Sequence, residues 1–142
     1  MELESQIYGA FTGWHGDALF KLTNGQYWQQ AEYKYSYRYL YRPNVVISET
    51  PGGYEMEVVG MEESIKVRRV SVIESTINGA FEGWSGDTEF HLRNGQVWKQ
   101  SHYAYWYHYA YAPEIIVYQS SGGHVLMLAS DHSQVVRVRR SR

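Results

Sequence analysis

Cysteine is absent from this 142-residue chain, and proline occurs only three times. Without cysteine there can be no disulfide, no thiolate chemistry and no cysteine-ligated zinc. No apolar run approaches the roughly 18 residues that a membrane helix needs, so we expect no membrane partner. The formal net charge is −2, which argues against the positive field of a general nucleic-acid binder. Because the start at Met1 is acidic and lacks an apolar stretch, we expect a cytoplasmic protein, with a processed secreted form left open.

Aromatic side chains are what the sequence has in excess. It contains 14 tyrosines and 5 tryptophans, and 44% of its residues are hydrophobic. Tyrosine and tryptophan bury large areas and still carry a polar tip. A chain rich in them can build a core, a binding surface or both.

An internal repeat organises the chain. Residues 4–53 align with residues 74–123, and half of the aligned positions are identical. The matches include Gly9–Asp17 with Gly79–Asp87, Asn24–Gln30 with Asn94–Gln100, and Pro43 with Pro113. No linker rich in glycine, serine or proline separates the copies. We therefore predict two domains, residues 1–70 and 71–142, packed directly against each other.

The hydrophobic pattern of each copy indicates short β-strands. Apolar residues alternate from Ile7 to Phe11, a loop is predicted at residues 12–16, and Asn24-Gly25 predicts a hairpin with a type I′ turn. No stretch has a clean helical period. Five or six strands per copy without a helix predict an all-β fold of two tandem SH3-like small barrels, with little or no helix.

A family resemblance rests on the strand and hairpin residues. Asn24-Gly-Gln-x-Trp28, a later Gly53-Tyr54 and a final Val67-Arg-Arg69 recur in the second copy, in part with substitutions. This pattern resembles that of small uncharacterised proteobacterial β-proteins with an Asn-Gly-Gln-x-Trp SH3-like domain. The resemblance implies an SH3-like barrel, and it brings neither an established activity nor catalytic residues. The tyrosine run of this chain is not part of that pattern.

Five alternating tyrosines in each copy form the most unusual feature, which we call the tyrosine ladder. Its members are Tyr33, Tyr35, Tyr37, Tyr39 and Tyr41, with Tyr103, Tyr105, Tyr107, Tyr109 and Tyr111. Residues two apart share one face of a strand. That face either stacks on bases, sugars or a peptide, or points inward and packs the barrel or the joint between the copies, and the inward arrangement is favoured. In an intermediate arrangement the ends of the ladder pack and the central hydroxyls reach solvent. The candidate ligand-binding residues are the central ones, Tyr35, Tyr37, Tyr105 and Tyr107.

Two Gly-Trp-x-Gly-Asp segments add Trp14 and Trp84 to the candidates. A tryptophan at a loop tip can bind a ligand. The favoured alternative is a turn whose tryptophan folds over the mouth of the barrel.

Enzyme chemistry finds little support in the pattern. None of the six histidines recurs in both copies, and only two carboxylates do, Glu4 with Glu74 and Asp17 with Asp87. No zinc-binding histidine spacing, phosphate-binding loop or nucleophile motif is present. A site unique to the second copy, using His102 and His108, is a minor alternative. We therefore predict no enzyme, no catalytic residue, no cofactor and no metal.

Basic residues near the end of each copy form a local positive stripe: Lys66, Arg68 and Arg69, then Arg137, Arg139, Arg140 and Arg142. Such residues can contact phosphate, although a solvated edge strand kept soluble by its charge is the favoured interpretation. The leading functional prediction is a binding module with a protein or peptide partner. Single-stranded nucleic-acid binding, and an enzyme or carbohydrate site between the copies, are the alternatives.

Overall fold

The chain folds entirely as β-structure. The computed structural model describes residues 2–142, and within that range it contains β-strands and no helix. The chain divides into two compact units, Met1–Ser71 and Val72–Arg142.

Eight strands make up the first unit. They are β1 (Glu2–Gln6), β2 (Ala10–His15), β3 (Leu19–Lys21), β4 (Tyr27–Gln30), β5 (Tyr35–Tyr41), β6 (Asn44–Thr50), β7 (Gly53–Val58) and β8 (Ile65–Val70). The second unit repeats them in the same order. Its strands are β9 (Val72–Thr76), β10 (Ala80–Trp84), β11 (Glu89–His91), β12 (Val97–Gln100), β13 (Trp106–Tyr111), β14 (Glu114–Ser120), β15 (Gly123–Leu128) and β16 (Asp131–Arg140).

Each unit has one six-stranded sheet whose two edges are joined. In the first unit the order is β1-β6-β7-β8-β4-β3, and an antiparallel bridge between Ile7 and Leu22 links the β1 side to the β3 side. Backbone hydrogen bonds from Tyr8 to Lys21 and from Thr23 to Gln6, both 2.8 Å, flank this bridge. The second unit has the equivalent order and bridge. The predicted fold class, an all-β chain of two tandem small-barrel repeats, is confirmed, whereas its assignment to SH3-like proteins stays a prediction.

The core of each unit lies inside its curled sheet. It consists of aliphatic and aromatic side chains from nearly all strands, because antiparallel strands with one solvated face bury alternate residues. The largest fully buried side chains of the first core are Trp14, Phe11, Leu22, Met56 and Ile65, and those of the second include Ile115, Leu126 and Val117.

The Asn24-Gly25 hairpin is confirmed, but its turn type differs from the prediction. A type I′ turn needs positive φ at both central residues, and here only Gly25 is positive, at 89°. Gly25 donates its N–H to the Leu22 carbonyl at 3.0 Å, and the Leu22 N–H donates to the Gln26 carbonyl at 2.9 Å. This is a three-residue connection with glycine in the left-handed position. Asn24 favours it because its side-chain oxygen accepts the Gln26 N–H at 2.9 Å.

The basic strands lie inside the sheets rather than at their edges. Strand β8 is between β7 and β4, and β16 is between β15 and β12. The interpretation of these segments as edge strands is therefore wrong. Along β8, Ile65 and Val67 are buried while Lys66 and Arg68 are exposed, so the charges mark the solvated face of an inner strand.

Beside each six-stranded sheet lies a two-stranded ribbon. We call β2 with β5 the first ribbon and β10 with β13 the second ribbon. The predicted loop at residues 12–16 is wrong for most of its length, because β2 continues to His15. The ladder segment is a strand from Tyr35 onward, as predicted. Pro43 lies between β5 and β6, where its lack of an N–H interrupts the strand.

Candidate functional site

All ten tyrosines of the ladder are exposed. The exposed fraction ranges from 57% at Tyr39 to 84% at Tyr33. The favoured prediction, that the ladder packs inward, is therefore wrong. Tyr35 to Tyr41 lie on β5 and Tyr107 to Tyr111 on β13, whereas Tyr33, Tyr103 and Tyr105 lie in the segments that lead into these strands.

The strands that carry the tyrosines have a free edge. Within residues 2–142, β5 pairs only with β2 and β13 pairs only with β10. The N–H and C=O groups on the outer side of β5 and β13 are thus outside any strand ladder. Such an edge is a ready template for another extended segment.

A bulge interrupts both ribbons at the same place. In the first ribbon Phe11 opposes Leu40 and Gly13 opposes Tyr37, so a single residue of β2, Thr12, faces two residues of β5. The second ribbon shows the same shift between Phe81 and Gly83. Bulges bend a strand and re-aim its side chains.

Glycine is required where the two strands of the ribbon meet. A Cβ atom on Gly13 would lie 1.9 Å from the carbonyl oxygen of Ser36, and φ at Gly13 is 103°. A Cβ on Gly83 would lie 1.9 Å from the carbonyl oxygen of Trp106. The first glycine of the Gly-Trp-x-Gly-Asp segment therefore seats the ladder strand against β2.

The second glycine of that segment lies beneath the first tyrosine of the ladder. A Cβ on Gly16 would lie 3.1 Å from Cε2 of Tyr33, and one on Gly86 would lie 3.1 Å from Cε2 of Tyr103. Although these tyrosines are largely exposed, one edge of each ring rests on a glycine. The contact orients the ring that begins each ladder.

A buried glutamine in each unit holds the turn that leads into the ladder. The Gln30 amide donates to the carbonyl oxygens of Glu32 at 3.1 Å and Lys34 at 2.7 Å, and its oxygen accepts the His15 N–H at 3.1 Å. Gln100 makes the equivalent donations to His102 at 3.1 Å and Ala104 at 2.9 Å. Both glutamines are 4% exposed. The side chain thus ties the end of β2 to the start of β5.

Trp14 and Trp84 belong to the cores and offer no ring face to solvent. They are 1% and 3% exposed. Trp14 makes edge-to-face contacts with Phe11 at 5.3 Å and with Phe20 at 5.8 Å between ring centroids. Of the residues suggested by the sequence, the exposed surface therefore holds Tyr35, Tyr37, Tyr105 and Tyr107 but neither tryptophan.

The Asn-Gly-Gln-x-Trp segments satisfy their own polar groups. The Trp28 indole N–H donates to the side-chain oxygen of Gln26 at 3.2 Å, and Trp98 donates to Gln96 at 3.0 Å. Because each polar tip already has a partner, these segments act as hairpin supports.

An aromatic stack is specific to the second unit. Trp106 lies 4.8 Å from Trp84 between ring centroids, and His108 stacks on Trp106 at 4.9 Å with the rings 10° apart. His102, the other histidine singled out by the sequence, gives its backbone carbonyl to Gln100. His102 and His108 therefore have different surroundings, His102 contributing a backbone carbonyl and His108 a stacked ring.

Each ribbon carries one formal charge, and the two charges have opposite sign. Arg38 is the one charged residue of β2 and β5, and Glu82 is the one charged residue of β10 and β13, with histidine counted as neutral. Arg38 and Tyr39 are the two bulge residues opposite Thr12, and His108 and Tyr109 are those opposite Glu82. Both charges are therefore located at the bulge.

Among residues 2–142 no group of three or more histidine, aspartate or glutamate side chains could hold a metal ion. An open pocket of about 690 Å³ in the first unit has Glu4 as the single titratable residue of its lining. Hydrogen bonds from the Ser133 hydroxyl at 2.6 Å and the Ser133 N–H at 3.0 Å hold the pKa of Asp131 below its usual value, which is the behaviour of a turn-capping carboxylate.

The sequence identifies the tyrosines but not the residues that position them. Gln30 recurs as Gln100 within the aligned segments, but the repetition does not identify the carbonyls that the two side chains bind. The sequence places both glycines of Gly13-Trp-x-Gly16-Asp in a loop, whereas Gly13 lies in β2 at its close approach to β5 and Gly16 lies after the strand, beneath Tyr33. The bulge has no signal in the alternation of tyrosines, because a register shift leaves the sequence period unchanged.

Within residues 2–142, no helix is both long and apolar enough to cross a membrane. No protein-family model, curated protein or solved structure matches this chain.

Proposed function

We propose that this protein is a non-enzymatic binding module whose two tyrosine ribbons take extended segments of a protein or peptide partner. The partner segment would add as a strand to the free edge of β5 or β13. Main-chain hydrogen bonds would supply affinity, and the tyrosine side chains would contact alternate residues of the segment.

The observation that carries this proposal is the identity of the ten exposed tyrosines between the copies. Buried positions have changed, since Val45 and Ile47 correspond to Ile115 and Val117. The ladder has kept tyrosine at all five positions of each copy. An exposed side chain contributes little to folding, so the fold does not explain this retention. Retained exposed aromatic residues indicate binding.

The surroundings of the ladder favour a pre-organised surface. Gln30 fixes the turn before β5, Gly13 holds β5 against β2, and Gly16 supports the ring of Tyr33. Ordering the strand before binding lowers the entropic cost of association. Tyrosine itself is enriched in the cores of protein interfaces.

Single-stranded nucleic acid is the alternative that exposed tyrosines also suit, because every base has a face that stacks on an aromatic ring. A backbone of phosphates needs a track of cations along the binding strand. The first ribbon has one arginine and the second has none. The charge distribution therefore favours a protein or peptide partner.

The test uses the full chain on an array of seven-residue peptides, the length of β5. We expect the double variant Tyr37→Ala with Tyr107→Ala to lose about tenfold or more in affinity for the peptides that the unchanged chain binds, since ring contacts contribute roughly 1–3 kcal/mol. Val59→Ala is the matched control, because Val59 is 57% exposed and lies outside the ribbons. Equal binding by all three chains would overturn the proposal. So would tighter binding to oligothymidylate, with an affinity that falls steeply as salt is raised.

A further inference from the structure

We propose that the first ribbon selects acidic extended segments and that the second ribbon does not, an inference that rests on the proposed function. It rests on a difference in charge: Arg38 lies at the bulge of the first ribbon, and Glu82 lies at the bulge of the second. The two ribbons thus share their tyrosines and differ in charge at one equivalent place.

Arg38 is available to a ligand. It is exposed, and within residues 2–142 it forms no ion pair. Thr12, which faces it across the ribbon, is neutral and shares a 2.9 Å hydrogen bond with the His15 ring. Tyr37 and Tyr39, both exposed, are the neighbours of Arg38 in the strand, so a segment that pairs with β5 at this point meets both the cation and the tyrosines.

The neighbouring positions of the first ladder carry further positive charge. Arg42 follows the strand and has a neutral contact, a 3.4 Å hydrogen bond to the Gln6 side chain. Lys34 precedes the strand and is already paired with Glu63 at 3.1 Å. Arg38 therefore provides the central cation and Arg42 a second one, whereas the charge of Lys34 is largely compensated.

The second ladder has no arginine or lysine at the equivalent positions. The positions of Lys34, Arg38 and Arg42 are Ala104, His108 and Ala112. The His108 ring is stacked on Trp106, and Glu82 is exposed beside it in the opposing strand. A carboxylate of the ligand would find no arginine or lysine here, and the nearest formal charge of the ribbon is the carboxylate of Glu82, one strand further from the free edge.

A strand-adding partner places its side chains next to those of the edge strand. An acidic residue opposite Arg38 would then form an exposed ion pair. Such pairs contribute about 0.2–1 kcal/mol, so a preference of about threefold for an acidic segment is expected at low salt. The preference should fade as salt screens the pair.

The experiment measures fluorescence anisotropy of two labelled seven-residue peptides with the full chain. One peptide alternates threonine with glutamate, and the other alternates threonine with glutamine. We expect the unchanged chain to bind the acidic peptide about threefold more tightly. Arg38→His, which installs the residue of the second copy, should abolish the preference. The double variant Glu82→Thr with His108→Arg should increase binding of the acidic peptide by providing a second site.

The failures of the two proposals are distinguishable. If Tyr37→Ala weakens both peptides equally and the unchanged chain does not discriminate between them, the charge selection is overturned and the ribbon remains a binding surface. If neither peptide binds, the proposed function and the selection are both overturned. Tighter binding of a seven-nucleotide oligothymidylate than of the acidic peptide would overturn the assignment to an acidic peptide.

Discussion

The side-chain amide of Gln30 donates to the carbonyl oxygen of Lys34 at 2.7 Å, one residue before the first tyrosine of strand β5. A buried group in the barrel wall thereby sets the path of an exposed strand. The same bond joins Gln100 to Ala104 at 2.9 Å. Barrel and ribbon are coupled through these two side chains.

Replacing Gln30 should destabilise both the barrel and the ribbon of the first unit. Gln30→Leu keeps the approximate volume and removes every hydrogen bond of the amide. The Lys34 carbonyl keeps the Gly16 N–H as a donor at 3.0 Å, whereas the Glu32 carbonyl and the His15 N–H, both partly buried, lose the partner that Gln30 gives them. Each unsatisfied group costs about 1–3 kcal/mol, so we expect a loss of at least about 2 kcal/mol in the free energy of unfolding, measured by urea titration. Gln119→Leu is the control, since Gln119 is exposed on β14. Equal stabilities of the two variants would contradict the role of Gln30.

A comparison of Gly13→Ala with Gly9→Ala separates the cost of a steric clash from the cost of a left-handed backbone conformation. Both Gly13 and Gly9 have positive φ, 103° and 84°, but a Cβ on Gly13 meets the Ser36 carbonyl at 1.9 Å and a Cβ on Gly9 meets nothing within 4 Å. Gly9→Ala should cost about 1–2 kcal/mol from the left-handed backbone alone. Gly13→Ala should cost at least about 2 kcal/mol more, because the strands must move apart. Identical urea midpoints would show that β5 does not depend on this close approach.

Exposure of the ladder predicts opposite outcomes for two aromatic substitutions. Tyr37→Ala should change the free energy of unfolding by no more than about 0.5 kcal/mol, as exposed substitutions do. Trp14→Ala should destabilise by about 3–5 kcal/mol, because it empties a core position. Thermal melts followed by circular dichroism compare them directly. A large loss for Tyr37→Ala would mean that the ring is packed in solution.

Acid should weaken the second unit through Asp131. Its pKa is held below the ordinary value by the hydrogen bonds from Ser133, so the ionised carboxylate is favoured in the folded state. The resulting stability is fully present above the unfolded pKa of about 3.8 and is lost as pH falls through the lower folded pKa. Asp131→Asn keeps an oxygen acceptor and removes the titration. Urea midpoints between about pH 5 and pH 2 should therefore fall less steeply in this variant, and parallel curves would refute the assignment.

The repeat and the hairpin signals were enough to predict the fold class. Shared segments such as Asn24–Gln30 and Asn94–Gln100 mark equivalent hairpins, and local turn chemistry fixes their position. The turn type was wrong because Gly25 alone adopts positive φ. Turn type depends on the number of connecting residues, which the dipeptide does not specify.

The exposure of the tyrosines could not be read from their period. Alternation indicates which residues share a face of a strand, but not which face is buried. Here β5 belongs to a ribbon beside the barrel, so its tyrosines stay in solvent while Leu40 packs against the first core. For the basic strands, alternating Lys66 and Arg68 reported a solvated face, and strand order is a long-range property that local charge does not encode.

The free edges of the ribbons bear on how the protein behaves when it is concentrated. Residues 35–41 contain neither proline nor lysine, two residues that commonly protect an exposed edge from pairing with another molecule. The bulge opposite Thr12 breaks the strand into two short regular stretches. The bulge bends and twists the edge strand, which disfavours the flat stacking of many identical strands that fibril growth needs, while a single short segment can still pair with it. The distortion that shapes the tyrosine surface thus also serves colloidal stability.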